Sequence, residues 1–82
     1  MKVIYFASIR QQIGKSEEIV IIEENCSIRD LIDKLVKKGE NYKIAFSDLS
    51  NIKCSANCNY VDLKTTISNS DEVAFFPPVT GG

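Results

Sequence analysis

The sequence predicts a two-layer α+β domain in which one main helix packs on one face of a mixed sheet. The first observation is the order of the segments, which is strand, strand, helix and then two or three short strands. The second is that a single long amphipathic helix covers one face of such a sheet and leaves the other open. The 82 residues, 44% of them hydrophobic, suit one domain over residues 1–82 with one core.

The clearest helix signal lies in the middle of the chain. Ser27 can cap the first backbone donors, and Asp30 adds negative charge near the positive end of the helix. Lysines followed by Gly39 are typical of a helix end, with Gly39 expected in the left-handed conformation. We therefore expect a helix over about residues 28–38. Its apolar stripe follows the helical spacing and comprises Ile28, Leu31, Ile32, Leu35 and Val36.

Two extended segments are predicted before this helix. Residues 2–8 alternate as in a strand, and a helical turn over residues 9–13 is expected to end at Gly14. Residues 18–23 enclose the apolar run IVII, which favours a strand with both faces at least partly covered. The two segments are expected to form a hairpin-like pair.

The second half of the chain is predicted to contain a turn and shorter strands. The turn, YKIAF, is expected to carry Tyr42, Ile44 and Phe46 into the core. The predicted strands cover residues 52–56, 60–63 and 72–76.

Strand parity indicates which side of the sheet stays open. Alternate residues of a strand point to opposite faces. We assign the sets that contain Lys2 and Glu72 to the helix-free face, which leaves Phe6 and Phe76 as exposed aromatics. Such a face is either a site for a protein partner, a region covered by a longer loop, or ordinary surface. The assigned sets are Lys2, Ile4, Phe6 and Ser8, opposite Val3, Tyr5 and Ala7, and Glu72, Ala74 and Phe76, opposite Val73 and Phe75.

Composition argues against several classes of function. The formal net charge of -1 gives no field that favours nucleic acid or an anionic membrane. No segment approaches the roughly 18 apolar residues of a membrane span, and the first residues lack a signal-peptide pattern, so we expect a cytoplasmic protein. Cys26, Cys54 and Cys58 are expected to be reduced thiols, and without histidine no metal site is expected.

Catalysis by this chain alone is not expected. The sequence has no histidine and no G-x-x-x-x-G-K phosphate loop. Asp71 and Glu72 are adjacent carboxylates, but neighbours on a strand point to opposite faces and are more typical of solvated charges.

The last six residues have an unusual composition. Pro77 and Pro78 have no backbone N–H for a sheet, so the sheet should end there and residues 77–82 should continue as an extended tail of roughly 20 Å. Gly81 and Gly82 have no Cβ, which permits insertion into a channel too narrow for side chains.

The ending DEVAFFPPVTGG, the opening VIYFASIRQQIG and the central helix together resemble the family of sulfur-carrying small subunits of molybdopterin synthase. The resemblance covers essentially the whole chain. It implies a ubiquitin-like β-grasp fold, in agreement with the order of elements predicted from the residues.

The resemblance also implies a function in molybdenum cofactor biosynthesis. Gly82 would be adenylated by a ubiquitin-activating-like adenylyltransferase that uses ATP, and would receive sulfur from a donor protein as a thiocarboxylate. The chain would then be the non-catalytic, sulfur-donating subunit of the synthase, with no stably bound cofactor. The residues implied to insert into the large subunit are Pro77, Pro78, Val79, Thr80, Gly81 and Gly82, and those implied to contact a partner are Phe6, Arg10 and Phe76.

Two alternatives remain open at this point. A related β-grasp carrier could supply sulfur for thiamine or for tRNA thiolation through the same terminal chemistry. A non-covalent ubiquitin-like adaptor could use the open sheet face without using Gly82.

Overall fold

The computed structural model describes residues 1–78. In addition to the helices and strands, Leu49–Asn51 form one 3₁₀ turn. In chain order the elements are β1 (Lys2–Tyr5), α1 (Ala7–Ile13), β2 (Glu17–Ile19), β3 (Cys26–Ser27), α2 (Ile28–Val36), α3 (Glu40–Ala45), β4 (Lys53–Ala56), β5 (Asn59–Val61), β6 (Thr66–Ile67) and β7 (Glu72–Phe76).

The main sheet has five strands in the order β2-β1-β7-β4-β5. The pairing of β1 with β7 is parallel, whereas the other three pairings are antiparallel. The small strands β3 and β6 pair with each other in a second, two-stranded sheet. The predicted α+β class with a mixed sheet is therefore confirmed. Because β7 lies at the centre of the sheet, the chain leaves the sheet from its middle.

One hydrophobic core lies between the main sheet and α2. The predicted parity is confirmed on both central strands, since the members of the inward set on β1 and β7 are at most 1% exposed. On α2 the buried residues are those of the predicted stripe up to Leu35. The most deeply buried side chains are Tyr5, Phe75, Ile28, Leu31, Leu35, Val3 and Val73.

The start of α2 agrees with the prediction and its end does not. The hydroxyl of Ser27 accepts a bond from the backbone N–H of Asp30, whose carboxylate in turn accepts one from the N–H of Ser27, each 3.1 Å long. The helix ends at Val36, before the predicted Lys38. Gly39 has φ 163°, so the left-handed conformation predicted for it is wrong. The reason is that Gly39 leads in an extended conformation into α3 instead of closing α2.

The first strand is shorter than predicted. It ends at Tyr5, and Ala7, with a φ of 49°, turns the chain into α1, so neither Ala7 nor Ser8 belongs to the strand. The predicted helical turn is a full helix. Gly14 ends α1 with φ 89°, as predicted, which is a left-handed conformation that favours glycine.

The second strand and the apolar run that follows it also differ from the prediction. Strand β2 covers only Glu17–Ile19. Val20 and Ile22 are buried, but Ile19 and Ile21 are each 68% exposed, so the prediction that both faces are covered is wrong. The cause is the position of β2 at the edge of the sheet, where the helix layer covers only one side.

The segment predicted as an irregular turn contains the helix α3. Tyr42 and Phe46 are buried as predicted, whereas Ile44 is 48% exposed and was wrongly assigned to the core. Helical geometry explains both results, because residues four apart share a face and the residue midway between them does not. No helix within residues 1–78 is long and apolar enough to cross a membrane.

Candidate protein-docking face

The open face of the main sheet is defined by the pairing of its strands. Residues directly opposite each other in paired strands point to the same side. Phe76 lies opposite Lys53, Ala74 lies opposite Ser55, and Ser55 lies opposite Tyr60. These residues therefore share the side away from α2. We refer to the open-face residues on β4, β5 and the end of β7 as the aromatic end of the face.

Two aromatic rings dominate this end. The ring centroids of Tyr60 and Phe76 are 5.8 Å apart, with an angle of 62° between the planes, which is the favourable edge-to-face arrangement. Tyr60 is 81% exposed, whereas Phe76 is half-buried. The rings border a shallow groove whose lining is Lys53, Cys54, Tyr60, Val61, Phe76 and Pro78.

Phe6 lies at the same end of the sheet as Phe76. Tyr5 and Phe75 are register partners in parallel strands, so Phe6 and Phe76 both follow directly after them. The N–H of Phe6 donates to the carbonyl of Phe75 over 3.1 Å, and the Phe6 side chain is 48% exposed. The exposure predicted for Phe6 is therefore confirmed, and that of Phe76 is only partial.

Arg10 is placed close to Phe6 by the first turn of α1. Its N–H donates to the carbonyl of Phe6 over 3.2 Å. The residue is exposed, and its guanidinium makes no ion pair with residues 1–78. Arg10 therefore has a charged group available to a second molecule at the edge where β7 ends.

The predicted tail begins at this same edge. Pro77 and Pro78 follow β7 without regular structure and are partly buried. Val79, Thr80, Gly81 and Gly82 lie outside the described residues, so the extended tail and the role of Gly82 stay predictions.

The other end of the open face combines charged residues with the exposed Ile19, the register partner of Lys2 on β2. Lys2 and Glu72 are register partners, and the ammonium of Lys2 lies 3.3 Å from a carboxylate oxygen of Glu17. The face thus has aromatic side chains where the chain leaves the sheet, and an ion pair beside an aliphatic side chain at the opposite end.

Tyr60 belongs to this face but was not among the residues predicted for the site. The missing information was the register of the hairpin between β4 and β5. Asn57 and Cys58 form a two-residue turn in which both φ angles are positive, at 52° and 71°. Reading Asn-Cys as such a turn would have paired Tyr60 with Ser55 and placed it outward.

The thiols take no part in a recognisable metal site. Cys26, Cys54 and Cys58 are free, and burial raises the pKa of Cys54 and of Cys26. Within the part of the chain that the structure describes, no three potential metal-binding side chains of histidine, cysteine, aspartate or glutamate come together.

Comparison with known proteins identifies the family. The model of the ThiS family matches residues 3–82. The chain belongs to the ThiS family. It is 30% identical over 83 residues to the molybdopterin synthase sulfur carrier subunit of Haemophilus influenzae, a match that spans 100% of this chain and 99% of that relative. The resemblance to molybdopterin synthase small subunits is thereby confirmed.

Solved structures show the same fold for this ThiS-family chain. SAMP1 from Haloferax volcanii superposes with a TM-score of 0.79 at 24% identity, covering 100% of this chain and 98% of that one. A protein–protein complex of subunits 1 and 2 of molybdopterin-converting factor from Helicobacter pylori contains a chain that matches with a TM-score of 0.62 at 24% identity, covering 99% of this chain and 96% of that one. The predicted ubiquitin-like β-grasp fold is confirmed.

Proposed function

We propose that this protein is a sulfur carrier in molybdenum cofactor biosynthesis and that it works as the small subunit of molybdopterin synthase. The full-length similarity to a sulfur carrier subunit supports this function. The proposal depends mainly on one observation. The central strand β7 continues directly into Pro77 and Pro78, and Phe6 and Phe76 lie at the same end of the sheet with their rings partly exposed. We expect a partner that binds at this end of β7 to bind residues 79–82 as well.

The proposed chemistry takes place at Gly82, the last residue of the sequence. Carboxylate oxygen is a poor leaving group, so the carboxylate first attacks ATP in an activating enzyme and becomes an acyl adenylate with release of pyrophosphate. A sulfur nucleophile at the oxidation level of sulfide then attacks the carbonyl carbon, and the bond to AMP breaks. The product is a thiocarboxylate, whose sulfur bonds to the pterin precursor; water then cleaves the acyl–sulfur bond and restores the carboxylate of Gly82. Two such deliveries build the dithiolene that holds molybdenum.

The proposed docking partner is the large subunit of the synthase. The Helicobacter pylori complex contains a chain of the same fold together with a second subunit, which supports this assignment. The ring of Phe6, 48% exposed, and the partly exposed ring of Phe76 provide apolar area that a protein partner can bury, worth at most about 1.5 to 3 kcal/mol for each ring, before association costs. The adenylyltransferase and a sulfur-donor protein are the further partners that this chemistry requires.

The decisive experiment follows sulfur loading of Gly82 by intact mass. The wild-type protein, a variant lacking Gly82 and a variant with one added C-terminal alanine are each incubated with the activating enzyme, ATP and a sulfur donor. We expect replacement of one oxygen by sulfur in the wild type alone, because adenylation needs a free carboxylate on a tail whose last two residues have no side chain. Lys64→Ala, an exposed substitution in the loop after β5, is the control that should load normally.

The same assay separates the competing functions. Thiocarboxylate on the alanine-extended chain, with the alanine still attached, would contradict the carrier mechanism. Wild-type protein that never loads would instead be a non-covalent adaptor. Protein that loads normally but gives no molybdopterin with the large subunit would serve another acceptor, such as thiamine or tRNA thiolation.

A further inference from the structure

A single lysine lies within the aromatic end of the open face. Lys53 is directly opposite Phe76 in the antiparallel pair of β4 and β7, so the two Cβ atoms are about 4.5–5.5 Å apart. Lys53 is exposed and lines the same groove as Tyr60, Phe76 and Pro78. Its ammonium therefore belongs to the surface that a partner on these rings must cover.

This ammonium differs from the other charges of the open face. Lys2 is paired with Glu17 at 3.3 Å, and Glu72 is the register partner of Lys2. Lys53, by contrast, makes neither an ion pair nor a side-chain hydrogen bond with any residue between 1 and 78. Asp62, the residue after β5, continues the register opposite Lys53, and both charges act on the Cys54 thiol, but no described carboxylate lies within ion-pairing distance of the Lys53 ammonium.

The sheet order places this charge beside the point where the tail begins. Strand β7 lies between β1 and β4, with Phe6 and Arg10 following β1 on one side and Lys53 on β4 on the other. Two cations that form no ion pair within residues 1–78 therefore lie on opposite sides of the strand that continues into Pro77.

Docking on the rings has a consequence for Lys53. A partner that covers Tyr60 and Phe76 removes water from the neighbouring ammonium, and an ammonium that loses water without gaining an acceptor is strongly unfavourable. Alternatively, the aliphatic part of the lysine side chain can extend so that the ammonium stays in solvent, and the charge would then have little effect on the affinity. The two cases differ in how strongly binding depends on salt, because a charge in contact with a partner carboxylate contributes a larger salt-screened attraction than a charge that stays in solvent.

We propose that Lys53 forms an ion pair with a carboxylate of the large synthase subunit, next to the start of the tail. This inference rests on the proposed function. It adds that the surface of the large subunit is acidic where it faces Lys53. It assigns Lys53 as a residue that sets the affinity and orientation of the docked domain, with no part in the sulfur chemistry.

The test measures binding of the large subunit by calorimetry at low and high salt. Lys53→Met keeps most of the stem and removes the charge, whereas Lys53→Glu reverses it; Lys64→Glu, an exposed lysine beside the start of α2, is the matched control. At low salt we expect Lys53→Met to weaken binding about tenfold and Lys53→Glu more, with both losses shrinking at high salt. The Lys64 variant should stay within about twofold of wild type.

A second measurement observes the pair directly. A carbodiimide joins an ammonium to a carboxylate only when the two groups touch, so the wild-type complex should give a cross-linked peptide that joins Lys53 to an aspartate or glutamate of the large subunit. Thermal unfolding of each variant shows that the domain is intact, which is expected because the side chain is exposed.

The possible outcomes separate this inference from the proposed function. If Phe76→Ala weakens binding while both Lys53 variants bind like wild type at either salt concentration, the ion pair is wrong and the docking face stands. Tighter binding by Lys53→Met also overturns the ion pair. If Phe76→Ala and the Lys53 variants all bind like wild type, the aromatic end is not the docking surface and the ion pair is wrong with it, whereas a wild-type protein that does not bind the large subunit would contradict the proposed synthase assembly itself.

Discussion

The hydroxyl of Tyr5, in the core, donates a 2.7 Å hydrogen bond to Oε2 of Glu18 on the edge strand β2. The hydroxyl of Tyr42 donates to the same oxygen over 2.7 Å, and the ammonium of Lys38 lies 2.7 Å from the other. Partial burial alone would raise the pKa of Glu18. Bonds from Lys38, Tyr5 and Tyr42 outweigh it and lower the pKa to about 2, while burial and the bond to Glu18 raise the pKa of Tyr5. This carboxylate therefore links β1, β2 and α3 in its charged form.

The first prediction concerns acid stability. Because the pKa of Glu18 falls from about 4.5 to about 2 on folding, its contribution is complete above pH 4.5 and is lost as the pH falls from 4.5 to 2. Glu18→Gln should lower the free energy of unfolding at pH 7 by on the order of 1 to 2 kcal/mol, discounted for solvent on one side. The difference between variant and wild type should shrink over that acid range in guanidinium titrations.

The neighbouring Glu17 provides the control for this prediction. Glu17 is exposed and pairs only with Lys2, at 3.3 Å, so Glu17→Gln should change stability by less than about 1 kcal/mol. Equal effects of the two substitutions at pH 7, or a Glu18→Gln deficit that persists at pH 2, would show that the bonds to Glu18 contribute nothing specific.

The second prediction concerns the turn between β4 and β5. Cys58 has φ 71°, a conformation that is unfavourable for any residue with a Cβ, so Cys58→Gly should raise the free energy of unfolding by about 0.5 to 1 kcal/mol. Asn57, with φ 52°, is different because its side chain donates to Asp71 over 2.9 Å and accepts from the N–H of Glu72 over 3.0 Å. Asn57→Gly should therefore lower stability by about 1 to 2 kcal/mol.

Denaturation of both variants under reducing conditions checks this pair of predictions. We expect the free energy of unfolding to rise for Cys58→Gly and to fall for Asn57→Gly, although both residues lie in the same turn and have positive φ angles. If both variants were stabilised, the side chain of Asn57 would have no role in joining the hairpin to β7.

Patterns confined to one element could be predicted from the sequence. The cap formed by Ser27 and Asp30 and the alternation on β1 and β7 depend on neighbouring residues, and all were identified. Features set by partners distant in the chain were missed. β2 is exposed on one side because it is an edge strand, and the two-residue strands β3 and β6 exist only through their mutual pairing.

The candidate site follows the same rule. Phe6 and Phe76 were assigned to the open face by parity alone, since Phe76 lies on β7 and Phe6, in an extended conformation, continues β1 by one residue. Tyr60 and Lys53 required the register of β4 against β5 and β7, which the strand pattern alone does not specify. The conformation at Gly39 was mispredicted for a different, local reason, since it depends on α3, which follows it directly and was not recognised as a helix.

The third prediction compares two adjacent phenylalanines on β7. Phe75 is fully buried, so Phe75→Ala should lower the free energy of unfolding by about 3 to 5 kcal/mol. Phe76 faces outward beside Tyr60, so Phe76→Ala should cost less stability and weaken binding to the large synthase subunit by at least about tenfold. Guanidinium unfolding and calorimetry measure the two effects. A loss of stability for Phe76→Ala as large as that for Phe75→Ala would place Phe76 in the core.

The last prediction concerns Arg10, whose guanidinium can hold a partner carboxylate through two parallel hydrogen bonds. Arg10→Ala should reduce affinity for the large subunit several-fold at low salt and less at high salt, without a change in stability. Arg29→Ala is the matched control, because Arg29 lies on α2, pairs with Asp33 at 3.5 Å and is remote from the open face. Association rates measured by stopped flow should fall for the Arg10 variant alone. Wild-type affinity for Arg10→Ala at every salt concentration would exclude Arg10 from the docking face.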